Sequence, residues 1–282
     1  MTTAGRVGVC GSVNMDVFGY APRLPMPGET VLGHRLAYAP GGKGGNQAVA
    51  ARRMGAEVRF AGACGRDAFG DQVVAALVAD GIDVSGLERM EVETGVALIV
   101  VDDDGENQIV ALPGANDHVS VPAPQPAVDV WITDGQVPPA VAAGVLDVAR
   151  ATGATTLCVP APAGLLPGEL VARFDVAIVN ETELAALGGH RPAEIVLTLG
   201  ARGARILPDG PALPALPAHV VDTTGAGDCL TGAVAAALAE GQPLDAAVRL
   251  GMAAASLCVE RRGCQPAMPR RAEVEERLSS PS

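Results

Sequence analysis

Aromatic side chains are scarce in this chain of 282 residues, with one Trp, two Tyr and four Phe. That is too few for a base-stacking platform, and the formal net charge of −12 opposes contact with nucleic acid or an anionic membrane. No cysteine pair has C-x-x-C spacing. Cys10, Cys64, Cys158, Cys229, Cys258 and Cys264 are scattered, which reads as reduced, buried thiols rather than disulfides or a zinc site. No apolar run reaches the roughly 18 residues of a membrane span, and no charged segment followed by a long apolar run opens the chain. The expected location is the cytoplasm. Lysine is almost missing: Lys and Arg together number 20, and Lys43 is the only Lys.

What remains is a core-forming composition, with 49% hydrophobic and 18% charged residues. Apolar strands alternate with helical stretches. Strands are expected at 7–10, 58–61, 128–133, 155–159, 176–179 and 194–199. Helices are expected at 47–54, 68–79, 138–152, 166–173, 226–240 and 244–259. This alternation implies a parallel sheet with helices on both faces. Two segments break the rhythm: 16–39, with Pro22, Pro25 and Pro27, and 94–112, which reads as a hairpin turning at 103–105. They are expected to form a small antiparallel lid from about 14–39 and 94–112, within one domain spanning 1–282.

Near the C-terminus, a strand-like Val220–Val221 leads into DTTGAGD and then a helix. Gly225 and Gly227 permit a tight turn that leaves the following helix start open. The unpaired N–H groups there, with the positive end of the helix dipole, suit a transferring phosphoryl group. An ionised Asp228 beside them could take a proton from an attacking hydroxyl. Taken alone, Asp228 reads equally well as a helix cap. Leu230 occupies the third glycine position of a dinucleotide fingerprint, so that motif is absent.

Near the N-terminus, Gly41, Gly42, Gly44 and Gly45 surround Lys43, and Asn46 follows. The glycines suggest close backbone approach to a small polar ligand, and the solitary Lys suggests a need for a compact ammonium. No Walker A pattern is present. Asn14 and Asp16 combine donors and acceptors suited to vicinal hydroxyls, although N-x-D alone is more often a turn.

GSVNMD, PMPGETV, GGKGGNQA, TGVALI, PAPA, NETE, TLGARG, DTTGAGD and RRGCQPAMP, in this order, resemble the ribokinase/phosphofructokinase-B carbohydrate kinase family over nearly the whole chain. The resemblance implies a three-layer α/β/α sandwich with a mostly parallel central sheet and an antiparallel β lid. It implies transfer of the ATP γ-phosphoryl group to a primary hydroxyl, with ribose first among acceptors, another pentose, a hexose or a nucleoside as alternatives, and a ligand-binding pseudokinase ranked after them. Asp228 would be the base, with Gly225, Ala226 and Gly227 as the anion hole. Asn14, Asp16, Gly42, Lys43, Gly44, Gly45, Asn46 and Gln136 would surround the sugar. Thr198, Gly200, Ala201, Arg202, Gly203, Gly227 and Met252 would line the nucleotide site. Asn180 and Glu183 would position Mg2+, and Asn180 would also face the nucleotide. Asp222, Thr224, Cys258, Arg261, Gly263 and Ala267 would hold a monovalent cation, K+ being expected. The family often pairs through its lid, so a homodimer is expected. Four departures stand out: Gln136 where a Glu is common, Val159 where Asn or Asp is common, Met252 where a polar residue is sometimes found beside adenine, and a short segment between Glu183 and Glu194 with room for about one helix.

Overall fold

The computed structural model describes residues 4–123 and 128–279. In chain order the elements are β1 (Arg6–Cys10), β2 (Asn14–Tyr20), β3 (Arg35–Gly41), α1 (Lys43–Arg53), β4 (Glu57–Gly65), α2 (Ala68–Ala79), β5 (Asp83–Met90), β6 (Gly95–Val101) and β7 (Asn107–Leu112). They continue with β8 (Val130–Asp134), α3 (Pro139–Thr152), β9 (Thr155–Val159), α4 (Gly168–Val171), β10 (Val176–Val179), α5 (Glu181–Ala186) and β11 (Glu194–Thr198). The last are β12 (Ala204–Leu207), β13 (Ala212–Leu213), α6 (Ala226–Ala239), α7 (Leu244–Cys258) and α8 (Arg271–Ser279).

The main sheet has nine strands in the order β13-β12-β11-β10-β9-β8-β1-β4-β5. All neighbours run parallel except β11–β12 and β12–β13. Period-2 alternation along the central strands sends side chains into two cores. Val7, Val9, Val130, Ile132, Leu157, Val176 and Ile178 pack with α1, α6 and α7. Trp131, Cys158, Ala177 and Val179 pack with α3 and α4 on the opposite face. Gly8 is paired with Trp131 across the sheet, and a Cβ there would lie 2.6 Å from the indole. Glycine at that position makes room for the chain's one Trp. The result is the expected α/β/α sandwich.

The smaller sheet has the order β3-β2-β6-β7. β2–β3 and β6–β7 are antiparallel pairs, joined by a parallel β2–β6 seam. Asn14 and Asp16 therefore lie on β2, within the segment expected to form the lid. The expected helix over 166–173 shrinks to α4, because Pro167 blocks its start and 3₁₀-type bonds from Arg173 and Phe174 tighten its end. Val220–Val221 is an exposed connection, with the amides of Val221 and Asp222 bonded to the Val259 carbonyl. Between Glu183 and Glu194 one short helix ends, as the length allows. All six cysteines are free and buried. No helix among the described residues is long and apolar enough to cross a membrane.

Candidate active site

The glycine run in GGKGG owes its composition to packing of the chain on itself. Gly42 has φ 85°, and a Cβ there would lie 2.6 Å from Val13 Cα. A Cβ on Gly44 would lie 2.7 Å from the Gly11 backbone. The start of α1 thus presses directly on the connection between β1 and β2, and the close approach read from the sequence is largely intramolecular. This contact brings Lys43, Asn46 and Asp16 to one place.

Asp16 stands in a cross-strand row with Ala39, Ala97 and Ala111, so short side chains flank its carboxylate. A Cβ on Gly41 would collide with it at 2.2 Å. Burial, together with the nearby Asp228 charge, pushes the Asp16 pKa up to about 7, against the opposing pull of Lys43. Asn14 is fixed by Asn116, whose Nδ2 donates to Asn14 Oδ1 at 2.8 Å, while Asn116 Oδ1 accepts from the Val13 amide at 2.9 Å. A Cβ on Gly95 would lie 2.3 Å from both side chains, which explains the glycine in TGVALI.

Asp134, fully buried at the end of β8, accepts the amides of Ser12 and Gln136 at 2.7 Å each. Its pKa is raised by burial, with these N–H donors and Lys43 opposing. Gln136 is therefore held beside Asp134 and Ser12, with its Oε1 2.8 Å from Ser12 Oγ. Lys43 faces Asp16, Asp134 and Asp228, yet no carboxylate among the described residues comes within 4.0 Å of its ammonium. An ammonium among three acids beyond contact leaves space for hydroxyl groups that both donate and accept.

Asp228 is the third residue of α6, and Gly225, with φ 75°, occupies the cap position. The cap reading of Asp228 is overturned: its oxygens accept from Asn46 Nδ2 and Gln47 Nε2, each at 3.0 Å. Burial raises its pKa, while Lys43, Asn46 and Gln47 draw it back. The N–H groups of Gly227 and Asp228 have no protein acceptor among the described residues, and a Cβ on Gly227 would meet open space. Behind Gly225, Cys264 Sγ sits where a side chain would go, so the tight turn is enforced from below.

On the other side of this turn lies a groove of about 720 Å³ lined by Thr198, Gly200, Ala201, Gly203, Gly227 and Met252, with Leu216, Val220 and Val259 among its apolar walls. Arg202 is not in the lining; its guanidinium reaches Glu181 Oε2 at 2.6 Å. Asn180 and Glu183 form a capping box at the start of α5, each bonded to the other's amide at 2.8 Å. They offer hard oxygen donors. Among the described residues no cluster of three or more acids, His or Cys could hold a metal by itself. Those two observations fit a divalent ion carried mainly by phosphates and water.

Asp222 accepts the amides of Thr224 and Gly263, each at 2.9 Å. Burial raises its pKa, but these donors and Arg262 outweigh burial and hold it below the usual range. An anionic carboxylate thus meets Gly263 and lies near Cys258 and Arg262. A carboxylate is a donor that fits a hard cation.

Four residues of this region escaped sequence reasoning as site residues: Gln47, Asn116, Asp134 and Gln265. Gln47 was legible as the neighbour of Asn46. The other three stand alone in sequence and carry no local signal.

A buried carboxylate beside free N–H groups at a helix start, between a polar pocket and an apolar groove, fits a phosphotransferase. Residues 5–271 match the pfkB family of carbohydrate kinases, and the chain belongs to that family. It is 36% identical over 289 residues to the ribokinase of Bacillus subtilis, covering 96% of this chain and 98% of that protein. It is 33% identical over 297 residues to the ribokinase of Haemophilus influenzae, covering 96% and 97%. The structure of Arabidopsis thaliana ribokinase complexed with ribose and ATP superposes with a TM-score of 0.90 at 28% identity, covering 99% of this chain and all of that one.

Proposed function

We propose that this carbohydrate kinase phosphorylates D-ribose at its primary hydroxyl, using ATP. The observation that carries the reading is the place of Asp228, whose carboxylate faces the Asp16–Lys43 pocket while the free amides of its own helix turn border the groove. The ribokinase relatives and the ribose- and ATP-bound neighbour support this substrate pair. In this reading Asn14, Asp16, Gly42, Lys43, Gly44, Gly45, Asn46 and Gln136 surround the sugar. The Asp228 carboxylate takes the hydroxyl proton, and the amides around Gly225, Ala226 and Gly227 receive the γ-phosphoryl oxygens.

The apolar groove takes the adenine, with Met252 as an adaptable wall. Asn180 and Glu183 orient the water shell of Mg2+, which supplies charge neutralisation on the phosphates when bound. Asp222 with the Thr224, Cys258, Arg261, Gly263 and Ala267 segments holds K+. The small sheet closes over the sugar and excludes water. Its exposed apolar residues Leu36, Tyr38, Leu98, Ile109, Val110 and Leu112 support pairing with a second copy of the chain through its unpaired edges. Sedimentation at low concentration tests the dimer; a monomer throughout refutes it.

An acceptor panel of ribose, other pentoses, hexoses and nucleosides, with ATP and Mg2+ and read as ADP release, tests the activity. Ribose is expected to give the highest kcat/KM, and added K+ to raise it. A clear preference for another acceptor overturns the ribose assignment.

A further inference from the structure

Helices α1 and α6 approach unusually closely beneath the site. A Cβ on Gly232 would lie 2.4 Å from the Gln47 carbonyl and 2.5 Å from Ala50 Cβ. Gly232 is one turn beyond Asp228, so this contact sets the depth at which α1 meets the Asp228 carboxylate. Two consecutive residues of α1 then share that carboxylate, Asn46 on Oδ2 and Gln47 on Oδ1. Asn46 is braced in turn, because Gln265 Nε2 donates to its Oδ1 at 3.1 Å. The Gln265 carbonyl is itself gripped by Arg53 at 2.6 Å.

Gln47 differs from Asn46 in one respect. It is fully buried, and its Oε1 has no hydrogen-bond partner among the described residues. A buried, unpaired carbonyl oxygen is unfavourable, and an apolar side chain of similar length would fill the volume without that penalty. The only hydrogen bond of this carboxamide among the described residues is the one to Asp228. An ionised carboxylate only accepts, so the amide must present its NH2 group to it.

We propose that Gln47 is a positioning residue for phosphoryl transfer, holding Asp228 in its acceptor state and aiming its free lone pairs at the sugar hydroxyl. The inference rests on the kinase reading above. In the reaction, the hydroxyl proton passes to Asp228 as the hydroxyl oxygen bonds the γ-phosphorus. The bond from that phosphorus to the bridging oxygen breaks, and its electron pair leaves on ADP. The resulting carboxylic acid faces two N–H donors that favour the ionised form, so its proton passes on to water and the base is restored. The other titratable groups around Asp228 are Lys43 from α1, Asp16 from β2, Cys229 from α6, Cys258 from α7 and Cys264 from the loop after α7. Of these, Lys43 favours the carboxylate and Asp16 opposes it.

The test is the pH dependence of kcat in Gln47→Met and Gln47→Glu, with Asp228→Asn alongside. Gln47→Met is expected to lower kcat about tenfold and to move its acidic limb up by about 1 pH unit, with both KM values within about twofold of wild type. Its melting temperature should hold, because the volume is kept. Gln47→Glu replaces the donor by an acid and should move the limb further in the same direction. Wild-type limbs in both variants overturn the proposal, and so does misfolding of both, which would assign Gln47 a purely structural role. If the wild-type enzyme gives no sugar-dependent ADP release, the kinase reading itself falls, and if Asp228→Asn retains normal turnover, Asp228 is not the base. If Asp228→Asn is inactive while the Gln47 limbs stay in place, only this inference falls.

Discussion

The two sides of the cleft are built on opposite principles. The side proposed for the sugar is crowded and polar: Asn14, Asp16, Asn46, Gln47, Asn116 and Asp134 are all buried, and most are tied to one another or to backbone. The side proposed for the nucleotide is an open groove with small or apolar walls, and Arg202, Asn180 and Glu183, outside its lining, bond among neighbouring surface groups. A buried polar network tolerates little change, because each lost partner strands another group in low dielectric. An apolar groove tolerates more, because its contacts are non-directional. Selectivity is therefore expected to reside on the sugar side, and adaptability on the nucleotide side.

That contrast is sharpest at the seam. Asp228→Asn should cut turnover by about 10²–10⁴-fold, measured as ADP release, while ribose still raises the melting temperature. Near-normal turnover would remove Asp228 as base. Next in size, Gly42→Ala should weaken ribose binding at least about tenfold and destabilise the fold by about 3 kcal/mol, since φ 85° and the Val13–Asn14 backbone both exclude a methyl group. Calorimetric titration and thermal melting would check both effects, and a stable variant with full affinity would show that the glycine run is dispensable.

A smaller effect separates binding from stability. Because the pKa of Asp16 is raised from 3.8 to about 7, the folded protein takes up a proton there before the unfolded chain does. Keeping Asp16 ionised thus lowers stability above about pH 7, and the penalty disappears as pH falls from about 7 toward 3.8. Asp16→Asn should accordingly stabilise the ligand-free protein by about 1–2 kcal/mol at pH 8, with little gain near pH 4, while weakening ribose binding. Equal melting shifts at both pH values would contradict the raised pKa. The smallest change is expected across the cleft: Met252→Leu should alter the KM for ATP by less than about threefold with kcat unchanged, because the swap conserves apolar volume. A large loss there would erase the contrast between the two sides.

Legibility followed the same division. DTTGAGD and GGKGGNQA were readable because glycine at a turn and a polar residue at a helix start are local requirements. The strands Thr155–Val159 and Val176–Val179 and the helix Ala68–Ala79 lie where periodicity put them. β2 was missed because its residues divide between the core and the pocket and show no clean alternation. Asn116, Asp134 and Gln265 were invisible because each acts on a residue more than a hundred positions away.

The alternation of the central strands with their helices, the two-sided burial of those strands and the location of the glycine turn before α6 were legible in the sequence alone, since each depends on interactions within a few residues or on a period of two or 3.6. Only the tertiary structure decided that Asp228 faces α1 and does not cap its own helix, and that four glycines serve mainly to bring backbones together. It also decided that Arg202 turns out of the groove. Those outcomes depend on how closely separate elements approach, and that distance is fixed by packing between side chains remote in the chain.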